Sequence, residues 1–371
     1  MRVLHVSPTW FGTGSVIGGG ERYACELART MSARADVVLV TFSPEAGTTR
    51  EGTLVVDRLP PGRLARRNPL AANPLRWRLL KWVRWADIVH THQVATLATA
   101  MTIVLGRLWG KPVFVTDLGG GHVHAPSSHL PLLRMADAML LLSQYSHDLW
   151  SRTPRRARPE RLRVIYGGVD HDRFNPLPSR QPGKVLFVGR ILPHKGLEYL
   201  IEALDGRLAL TVVGPAPLAN YRARLGCQAV GKAVTFTGPV GDDALVDHYR
   251  SAIATVLPSV YVACDGARSV VPELLGLTVL ESLACGTPVI VTDVASLPET
   301  VEDGQTGFIV PPNDPGAILE RLQYLADRPE EVERMGQAGR ARVLARFSWD
   351  ATVDRCFDQY AEASRRRGLH G

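Results

Sequence analysis

The sequence predicts two doubly wound α/β domains, each a parallel β-sheet with helices on both faces. Short buried strands alternate with helical stretches along the chain, which is typical of parallel sheets. The alternation stops at a stretch rich in proline and polar residues, 175–183, and then starts again. A chain of 371 residues that is 45% hydrophobic can also bury two ordinary cores. We therefore place one domain at 1–175 and a second at 176–348.

The composition argues against several classes of protein. The net charge is +7, but only five of the 43 basic residues are lysine. Such an excess of arginine reflects coding bias as readily as a choice of partner, so charge alone is weak support for nucleic-acid or membrane binding. The five scattered cysteines show no paired metal-ligand spacing, which favours a reducing compartment without structural zinc. No apolar run approaches the ~18 residues of a spanning helix, and the N-terminus becomes polar too soon for a signal peptide. We expect a cytoplasmic protein, either soluble or peripheral at the inner face of the membrane.

The N-terminal half opens with a strand at 3–7, a glycine-rich loop and a helical pattern from Tyr23 to Met31. This order is how α/β folds present backbone N–H groups to a phosphate. Ile17 occupies a position where a dinucleotide fingerprint needs glycine, so the loop argues against a dehydrogenase. A flexible turn without a ligand is the alternative.

Further strands are predicted at 37–40, 87–90, 113–115 and 138–143. Ligands of parallel sheets bind beyond the carboxyl ends of the strands. This rule brings five polar side chains towards one site: His90, His92, Asp117, His122 and Ser143. A histidine taken alone is more often structural than catalytic, so both interpretations stay open.

The segment 58–85 interrupts the alternation with eight basic residues and no acid. Helical spacing places four apolar residues on one face: Leu75, Leu79, Val83 and Ala86. It places five others on the opposite face: Trp77, Arg78, Lys81, Arg84 and Trp85. Tryptophan among cations is typical of helices that lie on anionic lipid. The alternative is a solvated basic face with the rings packed under loops.

The C-terminal half repeats the strand–helix pattern, with strands at 184–189, 208–214, 234–238 and 254–259. Arg190 and Lys195 follow the first of these strands, before a helix at 197–204, and are placed to hold a phosphate. Solvated cations without a ligand are the alternative for these two residues taken alone. Helices are predicted within 317–346 and at 351–363, the last one starting at a cap and staple at 347–350.

The stretch 272–286 organises the rest of the chain. Two carboxylates, Glu273 and Glu281, bracket a Gly-Leu-Thr turn that opens a short helix, followed by a strand at 289–291. The helix N-terminus at Gly276, Leu277 and Thr278 favours an anion. A phosphate between two carboxylates suggests a nucleotide sugar, with hydroxyls at both ends. The alternative is a helix with a capping acid and an unrelated buried glutamate.

These motifs together resemble glycosyltransferase family 4, retaining enzymes of the GT-B fold, over nearly the whole chain. The matching stretches are Gly18-Gly19-Gly20-Glu21, Asp87-Ile88-Val89-His90-Thr91-His92, Tyr166-Gly167-Gly168-Val169-Asp170, Gly189-Arg190, Lys195-Gly196, Pro258-Ser259, Glu273 with Glu281, Cys285-Gly286-Thr287-Pro288 and Gly304-Gln305-Thr306-Gly307. The paired glutamates with the Arg/Lys loop are highly specific, whereas the glycine loop alone is not. The resemblance implies two Rossmann-like domains facing across a cleft, with the final helix, 349–371, packed back on the N-terminal acceptor-binding domain.

The resemblance also implies roles for individual residues. The donor diphosphate would be bound by Arg190, Lys195 and the helix start at Gly276, Leu277 and Thr278. Glu281 would bind the ribose hydroxyls, and Glu273 the hydroxyls of the transferred sugar. Gly19 would approach the phosphates from the N-terminal domain, and we include Val240 among the donor-binding residues. The insertion at 261–271 directly precedes Glu273, and we expect it to line the sugar pocket.

The catalytic set that we expect is Glu273, Arg190, Lys195 and His122. The family has a histidine soon after the strand at 113–116; His122 is our choice for that role, and Asp117 is its rival. We expect no metal and no cofactor, because Arg190 and Lys195 supply the positive charge. No protein base is assigned, since the leaving phosphate is supposed to deprotonate the acceptor in this family.

The implied activity is a retaining hexosyl transfer from a nucleoside diphosphate sugar to an acceptor hydroxyl. The donor would be UDP- or GDP-linked (GDP-mannose among the candidates), and the product a polysaccharide, glycolipid or other glycoconjugate. The acceptor would be a glycan, a lipid-linked molecule or a small molecule. Its binding site would be lined in part by Trp10, Thr13, His92 and Tyr145. We expect no nucleic-acid partner, and contact with an anionic membrane through 58–85. Two alternatives stay open: a GT-B epimerase or hydrolase, and a basic protein that binds nucleic acid or a lipid surface.

Overall fold

The computed structural model describes residues 1–8, 19–43, 45–60, 76–94, 96–119, 132–154, 156–177, 180–269 and 273–368. The chain divides into two compact units. Unit 1 comprises Met1–Gly168 and Trp349–Gly371, and unit 2 comprises Val169–Ser348. The division thus falls slightly before the boundary that we predicted at 175. Both predicted α/β sheets are present.

Unit 1 is built on an eight-stranded sheet in the order β3-β4-β2-β1-β5-β6-β7-β8. The strands are β1 (Arg2–Val6), β2 (Asp36–Phe42), β3 (Gly47–Glu51), β4 (Leu54–Leu59), β5 (Ile88–His92), β6 (Val113–Thr116), β7 (Ala138–Leu141) and β8 (Leu162–Val164). The helices of this unit are α1 (Gly19–Met31), α2 (Leu79–Trp85), α3 (Leu97–Leu108) and α4 (Gln144–Ser151), with α12 (Trp349–Arg366) from the second segment. All neighbouring strands are parallel except β3, which runs antiparallel to β4 at the edge.

The strand order of unit 1 reverses between β1 and β5. From β1 the chain moves outward to β2, and it later returns to place β5 on the other side of β1. A reversal of this kind is the topological switch point at which open α/β sheets bind ligands. The predicted strand at 87–90 extends to His92, because His90 and His92 are both fully buried and continue the ladder.

Helix α2 corrects part of the prediction for the basic segment. Leu79, Val83 and Ala86 are buried, as their spacing predicted. The prediction of an exposed Trp85 is wrong: this ring is partly buried and packs against the core. Trp82 also packs there and donates from Nε1 to Asp57 Oδ2 at 2.6 Å. Leu75 lies outside the described residues.

Unit 2 is built on a six-stranded, fully parallel sheet in the order β11-β10-β9-β12-β13-β14. The strands are β9 (Lys184–Val188), β10 (Ala209–Val213), β11 (Val234–Gly238), β12 (Ala254–Leu257), β13 (Val289–Thr292) and β14 (Gly307–Val310). The helices are α5 (Leu197–Glu202), α6 (Ala219–Gln228), α7 (Asp242–Ser251), α8 (Leu277–Ala284), α9 (Leu297–Thr300), α10 (Pro315–Ala326) and α11 (Pro329–Arg346). The switch point of this sheet lies between β9 and β12.

The elements around the paired glutamates agree with the sequence prediction. Helix α8 begins at Leu277 and β13 begins at Val289. The last helix begins at Trp349, two residues earlier than predicted, and continues to Arg366. None of the described helices is long and apolar enough to cross a membrane.

Candidate active site

The loop that carries Lys195 is fixed against the end of β12 by backbone contacts. A short 3₁₀ turn, Pro193–Lys195, follows β9, and the Val260 amide donates to the carbonyl of His194 at 2.9 Å. Gly196 ends the turn with φ at 63°, and a Cβ built on it would lie 2.0 Å from the Pro258 carbonyl oxygen. Only glycine fits this close approach. The sequence therefore holds Lys195 at the β9/β12 switch point.

Glu273 follows β12 and meets Lys195 at that point. The Lys195 ammonium and Glu273 Oε1 form an ion pair and hydrogen bond. Ser259 Oγ, which is fully buried, donates to the same oxygen at 2.9 Å. Glu273 is only 8% exposed, so its carboxylate is held in one orientation by two donors.

The N-terminus of α8 lies directly after Glu273. Gly276 caps this helix with φ at 80°, and a side chain there would meet Leu297 Cδ2 at 2.9 Å. The first-turn amides at Leu277 and Thr278 have no partner within the helix, so they are available to an anion. Glu281 lies one turn further on, is nearly buried, and accepts a hydrogen bond from Tyr249 Oη at 2.8 Å.

His194, next to Lys195, carries no positive charge at neutral pH. Burial lowers the pKa of His194 to about 4, and the nearby charges of Lys195 and Arg190 act in the same direction. Glu273 opposes them. His194 is therefore neutral at pH 7, and the cations of this loop are Arg190 and Lys195.

The structure brings some of the predicted site residues together. Lys195, Glu273, Gly276 and Glu281 gather at the switch point of unit 2, as described above. Arg190 is exposed on the same loop, and Val240 lies at the carboxyl edge of the sheet after β11. Gly19 is the first residue of α1 in unit 1. Three other predicted residues, His122, Trp10 and Thr13, lie outside the described residues.

Other predicted residues of unit 1 have structural contacts. Ser143 caps α4 by accepting a hydrogen bond from the Ser146 amide at 3.2 Å. Asp117 accepts from Trp150 Nε1 at 2.8 Å. Tyr145 lies in the first turn of α4 and is half-buried.

Three buried histidines form a cluster at the β1/β5 switch point. His5, His90 and His92 offer ring nitrogens within 4.8 Å of one another, close enough for a metal to be considered. Hydrogen bonds already use the facing nitrogens: His5 Nδ1 meets His92 Nε2 at 3.0 Å, and His90 meets Tyr360 Oη and Thr116 Oγ1, each at 2.6 Å. We therefore interpret the cluster as a hydrogen-bonded core network.

Sequence reasoning assigned no role to Ser259 and missed Tyr249, although both orient the paired carboxylates. Ser259 belongs to the Pro258-Ser259 motif, so its place beside Glu273 could have been anticipated. Tyr249 lies on α7, 32 residues before Glu281, and no local pattern connects the two.

The fold and this site define a class of protein. Sucrose-phosphate synthase from Thermosynechococcus elongatus has a similar structure, with a TM-score of 0.77 at 22% identity over 99% of this chain and all of that one. Anabaena HepE, solved in complex with UDP-glucose, gives a TM-score of 0.72 at 17% identity over 98% and 100%. Both the fold and these neighbours are of the GT-B glycosyltransferase type, which confirms the predicted fold class.

Family models and a curated relative then place the chain more narrowly. The model "Glycosyl transferases group 1" matches residues 169–342, and "Glycosyltransferase Family 4" matches residues 17–173. A D-inositol 3-phosphate glycosyltransferase of Streptomyces scabiei is 33% identical over 98% of this chain and 90% of its own length. The chain belongs to the family 4 glycosyltransferases, and it is a glycosyltransferase.

Proposed function

We propose that this enzyme is a retaining glycosyltransferase that uses a nucleoside diphosphate sugar and glycosylates a hydroxyl of a phosphorylated polyol. The main support is the Lys195–Glu273 ion pair beside the N-terminus of α8, at the switch point of unit 2. This arrangement offers cations and amides to a diphosphate, with carboxylates for sugar hydroxyls on either side. Relatives named D-inositol 3-phosphate glycosyltransferases support the acceptor class.

Each residue then has a chemical task. The Lys195 ammonium has three donors, so it can hold Glu273 and a phosphate oxygen together. Arg190 is exposed on the same loop and adds a bidentate donor. As the glycosidic bond breaks, negative charge builds on the leaving diphosphate, and these fixed donors stabilise it. Glu273 and Glu281 bind the transferred sugar and the ribose, and the leaving phosphate takes the acceptor proton.

The first test is a thermal-shift screen of the purified chain with UDP-, GDP- and ADP-sugars. A specific donor at 100 times its Kd stabilises the folded state by about 2.7 kcal/mol. UDP-glucose is the first candidate, and D-inositol 3-phosphate is the first acceptor for turnover. The proposal is wrong if no nucleotide sugar stabilises the protein. Rapid isomerisation or release of sugar without acceptor would instead indicate an epimerase or hydrolase.

Lys195→Ala tests the assigned phosphate contact. Loss of one preorganised donor to the leaving group costs about 3 kcal/mol of barrier, or roughly a hundredfold in kcat. Lys184→Ala is the matched control, because Lys184 begins β9 at the opposite end and bonds Ser251 Oγ at 2.8 Å. The control should retain wild-type kcat. Normal turnover by Lys195→Ala at saturating donor would remove Lys195 from the mechanism.

We also propose that α2 contacts an anionic membrane surface. Trp77 is 75% exposed immediately before this helix, and Arg78, Lys81 and Arg84 are exposed beside it. An exposed tryptophan among cations is the composition of an interfacial helix. Arg78 Nη2 lies 3.3 Å from Oδ1 of the buried Asp57 in an ion pair. Lys81 and Arg84 therefore carry most of the electrostatic attraction to anionic lipid.

A further inference from the structure

The His92 side chain has one hydrogen-bonding atom to which no group in the described part of the chain forms a hydrogen bond. His92 ends β5 at the switch point of unit 1, and its side chain is fully buried. Its Nδ1 atom is buried without a hydrogen-bond partner in the described part of the chain. An unsatisfied buried polar atom destabilises the fold, so its retention needs an explanation.

The contacts of His5 determine which proton His92 carries. His5 Nε2 lies 3.3 Å from Met31 Sδ, and a thioether sulfur can only accept. We therefore assign the His5 proton to Nε2, which makes His5 Nδ1 an acceptor. The two ring planes are nearly parallel, with an angle of 11° between them, and Nδ1 of His5 lies 3.0 Å from Nε2 of His92. His92 must then donate from Nε2, and its Nδ1 carries a bare lone pair.

This assignment restricts the missing partner to a hydrogen-bond donor. Burial lowers the pKa of His92 well below its usual value, with His5 acting in the same direction, so the ring stays neutral. A phosphate or carboxylate oxygen would meet the lone pair unfavourably. A hydroxyl would satisfy it.

The next residue is held in a conformation that suits a binding site. Gln93 has φ at 75°, in the left-handed region that non-glycine residues rarely adopt. Its amide donates to the Thr116 carbonyl at 2.9 Å, and its carbonyl accepts from Thr99 Oγ1 at 2.5 Å. A Cβ built on Gly20, near the start of α1, would lie 3.7 Å from Gln93 Nε2. The strained residue thus presents its carboxamide where α1 begins, beside the switch point.

We infer that His92 Nδ1 and the Gln93 carboxamide bind ring hydroxyls of the polyol acceptor, away from its phosphate. This inference rests on the proposed function and assigns the hydroxyl-recognising part of the acceptor site. His92 is a binding residue here and removes no proton.

Two amide substitutions of His92 separate binding from a structural role. Glutamine can place its amide nitrogen where Nε2 lies, and so keeps the bond to His5 while losing the Nδ1 acceptor. Asparagine can place its amide oxygen where Nδ1 lies, and so keeps the acceptor while losing the bond to His5. We expect His92→Gln to raise the KM for D-inositol 3-phosphate roughly five- to tenfold with donor KM unchanged, the effect of one neutral hydrogen bond. His92→Asn should retain acceptor KM despite a lower melting temperature.

If His92 has only a structural role, the less stable variant, His92→Asn, should have the higher acceptor KM, and His92→Gln should have a nearly normal one. That result would overturn the inference. A second measurement compares D-inositol 3-phosphate with its monodeoxy analogues. Removal of one particular hydroxyl should raise the acceptor KM of the wild type about fivefold and leave the acceptor KM of His92→Gln unchanged. The substitution and the deoxy analogue remove the same contact. Equal losses in both proteins at every position would also overturn it.

Gln93→Gly provides an independent check. Glycine adopts positive φ without strain, so stability should be kept or raised while acceptor KM increases. Asn313→Gly is the control, because Asn313 in unit 2 also has positive φ, at 61°. If Gln93→Gly leaves acceptor KM unchanged, Gln93 has no part in the site. If the wild type glycosylates no phosphorylated polyol, the proposed function fails first, and these variants are not the cause.

Discussion

At the scale of single residues, the paired carboxylates of Glu273 and Glu281 are oriented by buried hydroxyls. Ser259 holds Glu273, and Tyr249 holds Glu281. A carboxylate fixed in this way loses little orientational freedom when it meets a sugar hydroxyl. The glutamates could be predicted because their spacing is local. Tyr249 could not, because its contact exists only once α7 packs beside α8.

Tyr249→Phe tests this orientation. The substitution removes one hydrogen bond from Glu281 without changing the packing of the ring. We expect donor KM to rise about fivefold and the free energy of unfolding to fall by about 1 kcal/mol. Tyr221→Phe is the control, since Tyr221 also donates to a buried carboxylate, that of Glu198. Steady-state kinetics and urea unfolding should show similar stability losses, with only Tyr249→Phe affecting donor KM. An unchanged donor KM in both variants would contradict the orienting role.

At the scale of elements, the sequence predicted the helices and strands whose apolar residues follow a clear pattern and missed those without such a pattern. The parallel strands and α8 follow from buried apolar runs closed by glycine and proline. Strand β3 is exposed at all five residues and has no apolar side chain, so its pairing with β4 leaves no hydrophobic pattern. Trp85 was predicted on the wrong face: α2 has only seven residues, and Trp82 and Trp85 both pack against the hydrophobic core.

The proposed membrane contact belongs to this scale, and vesicle co-sedimentation tests it. Vesicles with anionic lipid should pellet the protein at low salt, and neutral vesicles should not. Trp77→Ala and Arg84→Glu should each weaken binding, the latter by about 1 kcal/mol or more for each charge removed. Val230→Ala is the control for an exposed apolar side chain, since Val230 in unit 2 is 80% exposed. Arg50→Glu, on the exposed edge strand β3, is the control for charge. Failure of wild type to pellet would exclude the proposal.

At the scale of the whole molecule, the two-sheet fold was predictable because the same alternation occurs twice. The buried histidine cluster was not, since the sequence shows His5 only as a polar residue within the first strand, with no sign that it lies beside His90 and His92. Their shared face follows from strand order: His5 pairs with His90 in the β1/β5 ladder, and His92 lies two residues further along β5. Polar residues of this kind shorten the apolar runs from which strands are predicted.

The same cluster predicts a dependence of stability on pH. Burial lowers the pKa of His5 to about 3, and it lowers the pKa of His90 and His92 well below the ordinary value. In the unfolded chain these rings titrate near 6.5, so below that pH the unfolded state takes up protons that the folded state does not. Stability is therefore complete above about pH 6.5 and falls as the pH falls, by about 1.4 kcal/mol for each ring at pH 5.5.

Urea unfolding at pH 7.5 and 5.5 measures this effect. The free energy of unfolding should be lower at pH 5.5 by about 4 kcal/mol from these three rings if they contribute independently, and by about 1.4 kcal/mol more from His194, whose pKa burial also lowers. His147→Gln, which removes a partly exposed histidine of α4, should keep the full difference. Equal stability at the two pH values would mean that the folded rings accept protons normally.

The division of the chain has a consequence for biosynthesis. Unit 2 is a single uninterrupted segment, whereas unit 1 needs a second segment that begins at Trp349. The ribosome therefore synthesises all of unit 2 before it adds α12. In the folded protein, Tyr360 Oη of α12 forms a hydrogen bond with Nδ1 of the buried His90. Until α12 emerges, His90 in unit 1 can bond Thr116 Oγ1 but not Tyr360 Oη, so one of its two ring nitrogens lacks its partner.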